Sequence, residues 1–172
     1  VNSVPADVRI ETYVRAKTME AIEATHKKVD TALKAGGDAV GAQTVIATMP
    51  GQLPLACNNR LNELFVTNAK IAEPNVAVKD AGHFSASTDM GDVSHLLPVI
   101  HPFIGGVDGF LHTADFHVVD FKHAVLLPAK AFAMMIVDLL ADDAELARQI
   151  KAEHHPLLTK EEYIAKLDKY FQ

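Results

Sequence analysis

Hydrophobic and polar positions alternate near the start of the chain. In Val8–Ala16, Val8, Ile10, Thr12 and Val14 share one face, and Arg9, Glu11, Tyr13 and Arg15 share the other. That period of two predicts a strand with one buried face. The period then lengthens. Met19, Ile22, Val29 and Leu33 recur at helical spacing, with His26 on the same stripe and Gly36 and Gly37 as a natural stop. Ala42–Met49 predicts a second strand, closed by the turn Pro50–Pro54. The result is a β-α-β piece, too small to bury a core of its own.

Beyond Cys57 the texture changes. Asn58–Asn75 predicts a helix with Leu61, Leu64, Phe65 and Ile71 facing inward. Asn75–Asp80 predicts a short strand. A helix follows over Ser87–Leu97, capped by Ser87 or Thr88, with Asp89 and Asp92 suited to its positive end. Pro98–Gly106 reads as a short apolar strand. The stretch from His117 opens as a strand or turn and becomes a long helix, with Pro128 near its first turn. Its most apolar part, Ala124–Leu140, predicts a buried helix. Thr159 and Glu162 form a capping box, followed by an apolar stripe of Ile164, Leu167 and Phe171. Two prolines, a glycine and the change of period place a boundary near residues 50–58. The expected regions are 1–55 and 56–172.

Composition narrows the function classes. With 172 residues and 49% hydrophobic side chains, a sizeable core can be buried. The formal net charge is −6, with both signs interspersed, so there is no basic stripe of the kind nucleic acid requires. The single cysteine, Cys57, excludes an intramolecular disulfide and reads as a buried or idle thiol. Pro128, Lys130 and Asp138 interrupt the apolar run, which falls short of the roughly 20 residues that cross a membrane. Val1–Ile10 lacks the pattern of a signal peptide. A cytoplasmic protein without a membrane or nucleic-acid partner is expected. The chain starts without methionine and enters a strand pattern almost at once, as a piece of something longer would.

Six of the 9 histidines, His83, His95, His101, His112, His117 and His123, fall in one stretch of the chain. Their gaps are irregular, unlike the short regular spacings that mark a zinc site. For each one a surface or hydrogen-bonded structural role is the ordinary reading. His112 stands apart, because it follows the glycine-rich turn Ile104–Gly109 in a loop that places side chains at strand ends. Asp89 and Asp92 either complement a helix start or orient a ligand from behind. Arg15 ends the first strand on its polar face, where a solvated arginine is the default. His154 and His155 precede Pro156 in a turn and read as surface.

At these residues a family resemblance enters. The run VNSVPADVRIETYVRAKTMEAI resembles the central segment of the zinc-dependent amidohydrolases, the superfamily of aminoacylases, carboxypeptidase G, auxin-conjugate hydrolases and aminobenzoyl-glutamate hydrolase. STDMGDVSHLLPVIHPFIGG resembles their Ser-x-Asp motif with its following strand, and LHTADF their histidine motif near the carboxy terminus. The three occur in family order over almost the whole chain, and STDMGDVSH is most similar to the aminobenzoyl-glutamate hydrolase branch.

The resemblance implies an α/β protein that is part of a two-domain amidohydrolase. Residues 1–55 would be a β-α-β piece of the α+β dimerisation (lid) domain. Residues 56–172 would be the carboxy-terminal part of the α/β catalytic domain. It implies hydrolysis of an amide bond in N-acyl amino acids or dipeptide-like small molecules, by two divalent metal ions, zinc or else manganese or cobalt. His112 would be one metal ligand, Arg15 and Asn2 would bind substrate, and Asp89 would orient a ligand from behind. No catalytic base lies in this piece, so the chain alone is expected to be inactive and to hold metal weakly or not at all. A homodimer through the small domain is also implied. Two other readings remain at this point: a non-catalytic dimerisation or binding module, and a complete histidine metal site of a smaller hydrolase.

Overall fold

The structure, a computed structural model, describes residues 3–80, 82 and 86–169. Asn2, His83 and Phe171 lie outside the described residues.

Helix α1, Met19–Ala39, begins at Thr18, whose hydroxyl accepts from Ala21 N at 3.2 Å. It runs past the expected stop. A Cβ on Gly37 would fall 1.9 Å from Thr44 Oγ1, so glycine there lets the following chain lie against the helix end rather than terminating it. The turn comes at Gly41, with φ 72°. The predicted strands on either side, Val8–Ala16 and Ala42–Met49, join no ladder, and Val8 and Ile10 are 69% and 70% exposed. Alternation specifies a face but supplies no neighbour. Two strands joined by one crossover helix need further strands to make a stable sheet.

Helix α2, Asn59–Ala72, starts at Asn58, whose side chain accepts from Leu61 N at 3.0 Å. Leu61, Phe65 and Ala69 recur every fourth residue and are buried. They pack on helix α4, Leu127–Glu153, through Ala131, Met135 and Ile150. The Phe65 and Phe132 rings meet at 4.9 Å between centroids, tilted by 51°. Buried Asn68 donates to Leu64 O at 3.1 Å and to Asp138 Oδ2 at 2.7 Å, so both its protons are used. Arg60 pairs with Glu153 at 2.6 Å, and Lys122 pairs with Glu73. Ile71, expected inside, is 63% exposed, because its position falls off this four-residue stripe.

A π-helical turn, Lys122–Leu126, leads into α4, and Pro128 occupies its first turn as expected. The helix then breaks. Ala141 is extended, and Asp142, Asp143 and Ala144 have φ of 49°, 58° and 59°. Left-handed backbone costs a non-glycine residue about 1–2 kcal/mol. Across the break, Ile150 returns to the cluster that holds Ala131 and Met135. The expectation of a buried helix needs correction. Ile136, Val137 and Leu140 are exposed, since α2 covers one side only. By length and mean hydropathy alone Lys122–Glu153 would suffice to cross a membrane, but the backbone breaks at Ala141–Ala144 and α2 packs against its apolar side. Widely spaced charges interrupt a run without lowering its mean hydropathy enough.

Strands β1, Val107–Asp108, and β2, His117–Val118, pair antiparallel, with Val107 opposite Val118. They are the only ladder among the described residues. Asn75–Asp80 and Pro98–Gly106, read as strands, enter none. Helix α3 is Met90–Ser94, and helix α5 is Lys160–Asp168. The Thr159–Glu162 capping box is present, with bonds of 3.1 and 2.7 Å. Lys166 lies 3.7 Å from Glu23 and links α5 to α1. The class is helix-rich with a small sheet, compatible with α/β or α+β.

Candidate active-site trough

The short helix α3 builds one wall of an open trough. Its side chains grip the irregular stretch 52–56, mostly by main-chain atoms. Asp92 accepts from Leu53 N at 3.3 Å. His95, just past the helix, shares a hydrogen bond with Pro54 O at 2.9 Å. Ser94 Oγ accepts from Ala56 N at 3.0 Å and donates to Gly91 O at 2.6 Å. Gly91 allows the approach, since a Cβ there would sit 2.0 Å from Leu53 O. From the other side, Leu158 N donates to His95 O at 3.0 Å. These bonds do for an irregular segment what a ladder does for a strand.

Asp89 occupies the N-cap position of α3 but makes no side-chain capping bond. Its carboxylate instead accepts from the Gln52 amide. Expected capping residue Thr88 accepts weakly from Met90 N at 3.4 Å. Burial pushes the Asp92 carboxyl above its ordinary value, opposed by the Leu53 N–H and by His95. Burial and the nearby Asp92 carboxylate push the Tyr163 hydroxyl up as well.

The trough, about 1940 Å³, brings Arg15, Thr88, Asp89, His101, His112 and His123 to one concavity. Arg15 arrives from the segment before α1, its guanidinium 4.8 Å above the Tyr13 ring. His112 lies between β1 and β2 and is exposed, in left-handed backbone with φ 66°. The turn around it is closed by Thr113 Oγ1, which donates to Phe110 O at 2.6 Å. His101 Nε2 lies 3.4 Å from Thr88 Oγ1, and its ring meets Phe103 edge-on at 5.6 Å. His123 Nδ1 contacts Asp120 Oδ2 at 2.6 Å, and this bond holds the Asp120 carboxyl below the usual carboxylate range. Three of the sequence-predicted residues, Arg15, Asp89 and His112, therefore share one trough.

The other histidines divide by role. His95 lines the trough yet is buried and structural, through its bond to Pro54. His117 contacts Asp115 O at 2.6 Å on the exposed hairpin. His155 is exposed as expected, whereas His154 is half-buried. Cys57 is half-buried and lines the trough. Sequence reasoning missed Gln52, Ser94, His101 and His123 as parts of this wall; the crowding of histidines was the signal for the last two.

No three His, Cys, Asp or Glu side chains among the described residues gather into a group that could hold a metal ion. His112 is a single donor, so a metal ion held there would need its other ligands from outside the described residues.

The chain is 29% identical over 153 residues to a Xaa-Arg dipeptidase of Mus musculus, a match covering 84% of this chain. The chain spans 36% of that relative's length. No family model matches the chain, and no solved structure matches it. The dipeptidase match supports a peptidase or amidohydrolase relationship at the level of the superfamily, and it suggests a hydrolase.

Proposed function

We propose that this chain is the carboxy-terminal portion of a metal-dependent amidohydrolase or peptidase. It would cleave the amide bond of N-acyl amino acids or dipeptide-like substrates such as aminobenzoyl-glutamate. The observation that carries the reading is the match to a dipeptidase over 84% of the chain. Arg15, Asp89 and His112 all lie along the lining of the trough.

In this reading Arg15 holds a substrate carboxylate, for which a guanidinium fork is suited. Asn2 assists it, and Asp89 orients a ligand from behind. His112 supplies one metal ligand, the remainder coming from residues beyond those described. Two divalent ions, zinc or else manganese or cobalt, would polarise the scissile carbonyl and acidify a water. The enzyme works as a cytoplasmic homodimer joined through its first region, and the present chain alone does not turn over substrate. The runner-up, a non-catalytic dimerisation or binding module, draws on the exposed alternating apolar residues Val8, Ile10 and Val45.

The test is metal content and hydrolysis of N-acyl amino acids and dipeptides by the protein at its native length. Wild type should bind metal and turn over, and His112→Ala should lose both. An active His112→Ala protein with full metal content would overturn the ligand assignment. A metal-free wild type without turnover would favour the module.

A further inference from the structure

We propose that Gln52 is a positioning residue for the trough. Its carboxamide donates to Asp89 Oδ1 and fixes that carboxylate in the wall, leaving Oδ2 to accept a hydrogen bond from a substrate N–H, whether amide or amine. This rests on the hydrolase reading above, adds Gln52 to it, and replaces the indirect role given there to Asp89 with a direct substrate contact through Oδ2.

Asp89 does not cap its own helix. A carboxylate at the N-cap position ordinarily turns back onto the helix amides. Here it makes no such bond and reaches a residue 37 positions away. Both Gln52 and Asp89 line the trough. A carboxylate has about four acceptor sites, so the bond to Gln52 leaves capacity at Oδ2. Gln52 is itself well fixed. The stretch that follows it is gripped by α3 at Leu53 N, Pro54 O and Ala56 N, which anchors the chain from the residue next to Gln52 onward. Asp92, the other acid of α3, is occupied with Leu53 N and faces Tyr163, which leaves Asp89 as the α3 carboxylate that lines the trough.

Two measurements test the assignment. The first is a double-mutant cycle on this chain in urea, with Gln52→Ala, Asp89→Ala and both. Coupled losses are expected, and additive losses would overturn the contact. The second is steady-state kinetics at native length. Gln52→Ala should raise KM for a dipeptide roughly tenfold, the size of one charged hydrogen bond, with kcat changed less than about twofold. Gln52→Glu should be worse, because two carboxylates then face each other, and Gln52→Asn should recover part of the loss. Unchanged KM in an active Gln52→Ala protein overturns this inference alone. Absence of turnover in wild type overturns the hydrolase reading and the substrate contact with it, while the cycle still decides the contact between the two side chains.

Discussion

Ser94→Ala tests what one buried hydroxyl contributes to the trough wall. Ser94 is 1% exposed. Its hydroxyl serves two partners at once, accepting from Ala56 N at 3.0 Å and donating to Gly91 O at 2.6 Å. Alanine removes a single oxygen, so the cavity is small and loss of hydrogen bonding dominates. Each bond contributes about 1 kcal/mol net, and an amide left unpaired away from water adds to the loss. The two bonds alone give about 2 kcal/mol, which is the least loss expected. For a chain of this size that lowers Tm by about 4–8 °C. Thermal and urea unfolding give the total, and amide hydrogen exchange locates it. The Ala56 amide should lose protection, while the Leu53 amide, held by Asp92 instead, should keep it. A loss below about 0.5 kcal/mol with Ala56 still protected would show that α3 does not hold this stretch through Ser94.

Asp92→Asn should act in the opposite direction. Burial raises the folded Asp92 carboxyl above its unfolded value, so the folded state binds the proton more tightly and loses stability as pH rises through that range. Asparagine keeps an acceptor for Leu53 N and carries no charge. The variant should be more stable than wild type at pH 7, with the difference narrowing toward pH 4 in urea melts; lower stability at pH 7 would refute the sign. Phe65→Ala should cost about 3–5 kcal/mol as a buried aromatic, whereas Ile71→Ala, on the exposed side of the same helix, should stay within about 0.5 kcal/mol. Equal losses in urea unfolding would mean that the facing of α2 is wrong.

The helices were legible where the signal is local. Spacing alone locates Leu61 and Phe65 on the buried side of α2, and Thr159 with Glu162 marks the start of α5. Strands were not legible in the same way. The alternation in Val8–Ala16 is real, but pairing depends on residues distant in sequence, and none of those described supplies a partner. The break at Asp142–Ala144 escaped because the apolar period says nothing about three consecutive left-handed residues. Of the trough, Arg15, Asp89 and His112 came from motifs. Gln52 did not, because a contact across 37 residues leaves no periodic trace.

The wall between Gln52 and Ala56 bears on how such a protein can diverge. Helix α3 takes hold of Leu53 N, Pro54 O and Ala56 N, which are atoms every residue type provides, proline's missing N–H aside. The side chain of Leu55 lines the trough without being one of these grips. Substitutions at that position can therefore alter the shape presented to a ligand while the backbone trace stays put. The fixed cost falls on α3, where Gly91, Asp92, Ser94 and His95 must be kept together. Drift in ligand preference and constancy of scaffold are thus assigned to different stretches of chain that face each other across a few hydrogen bonds.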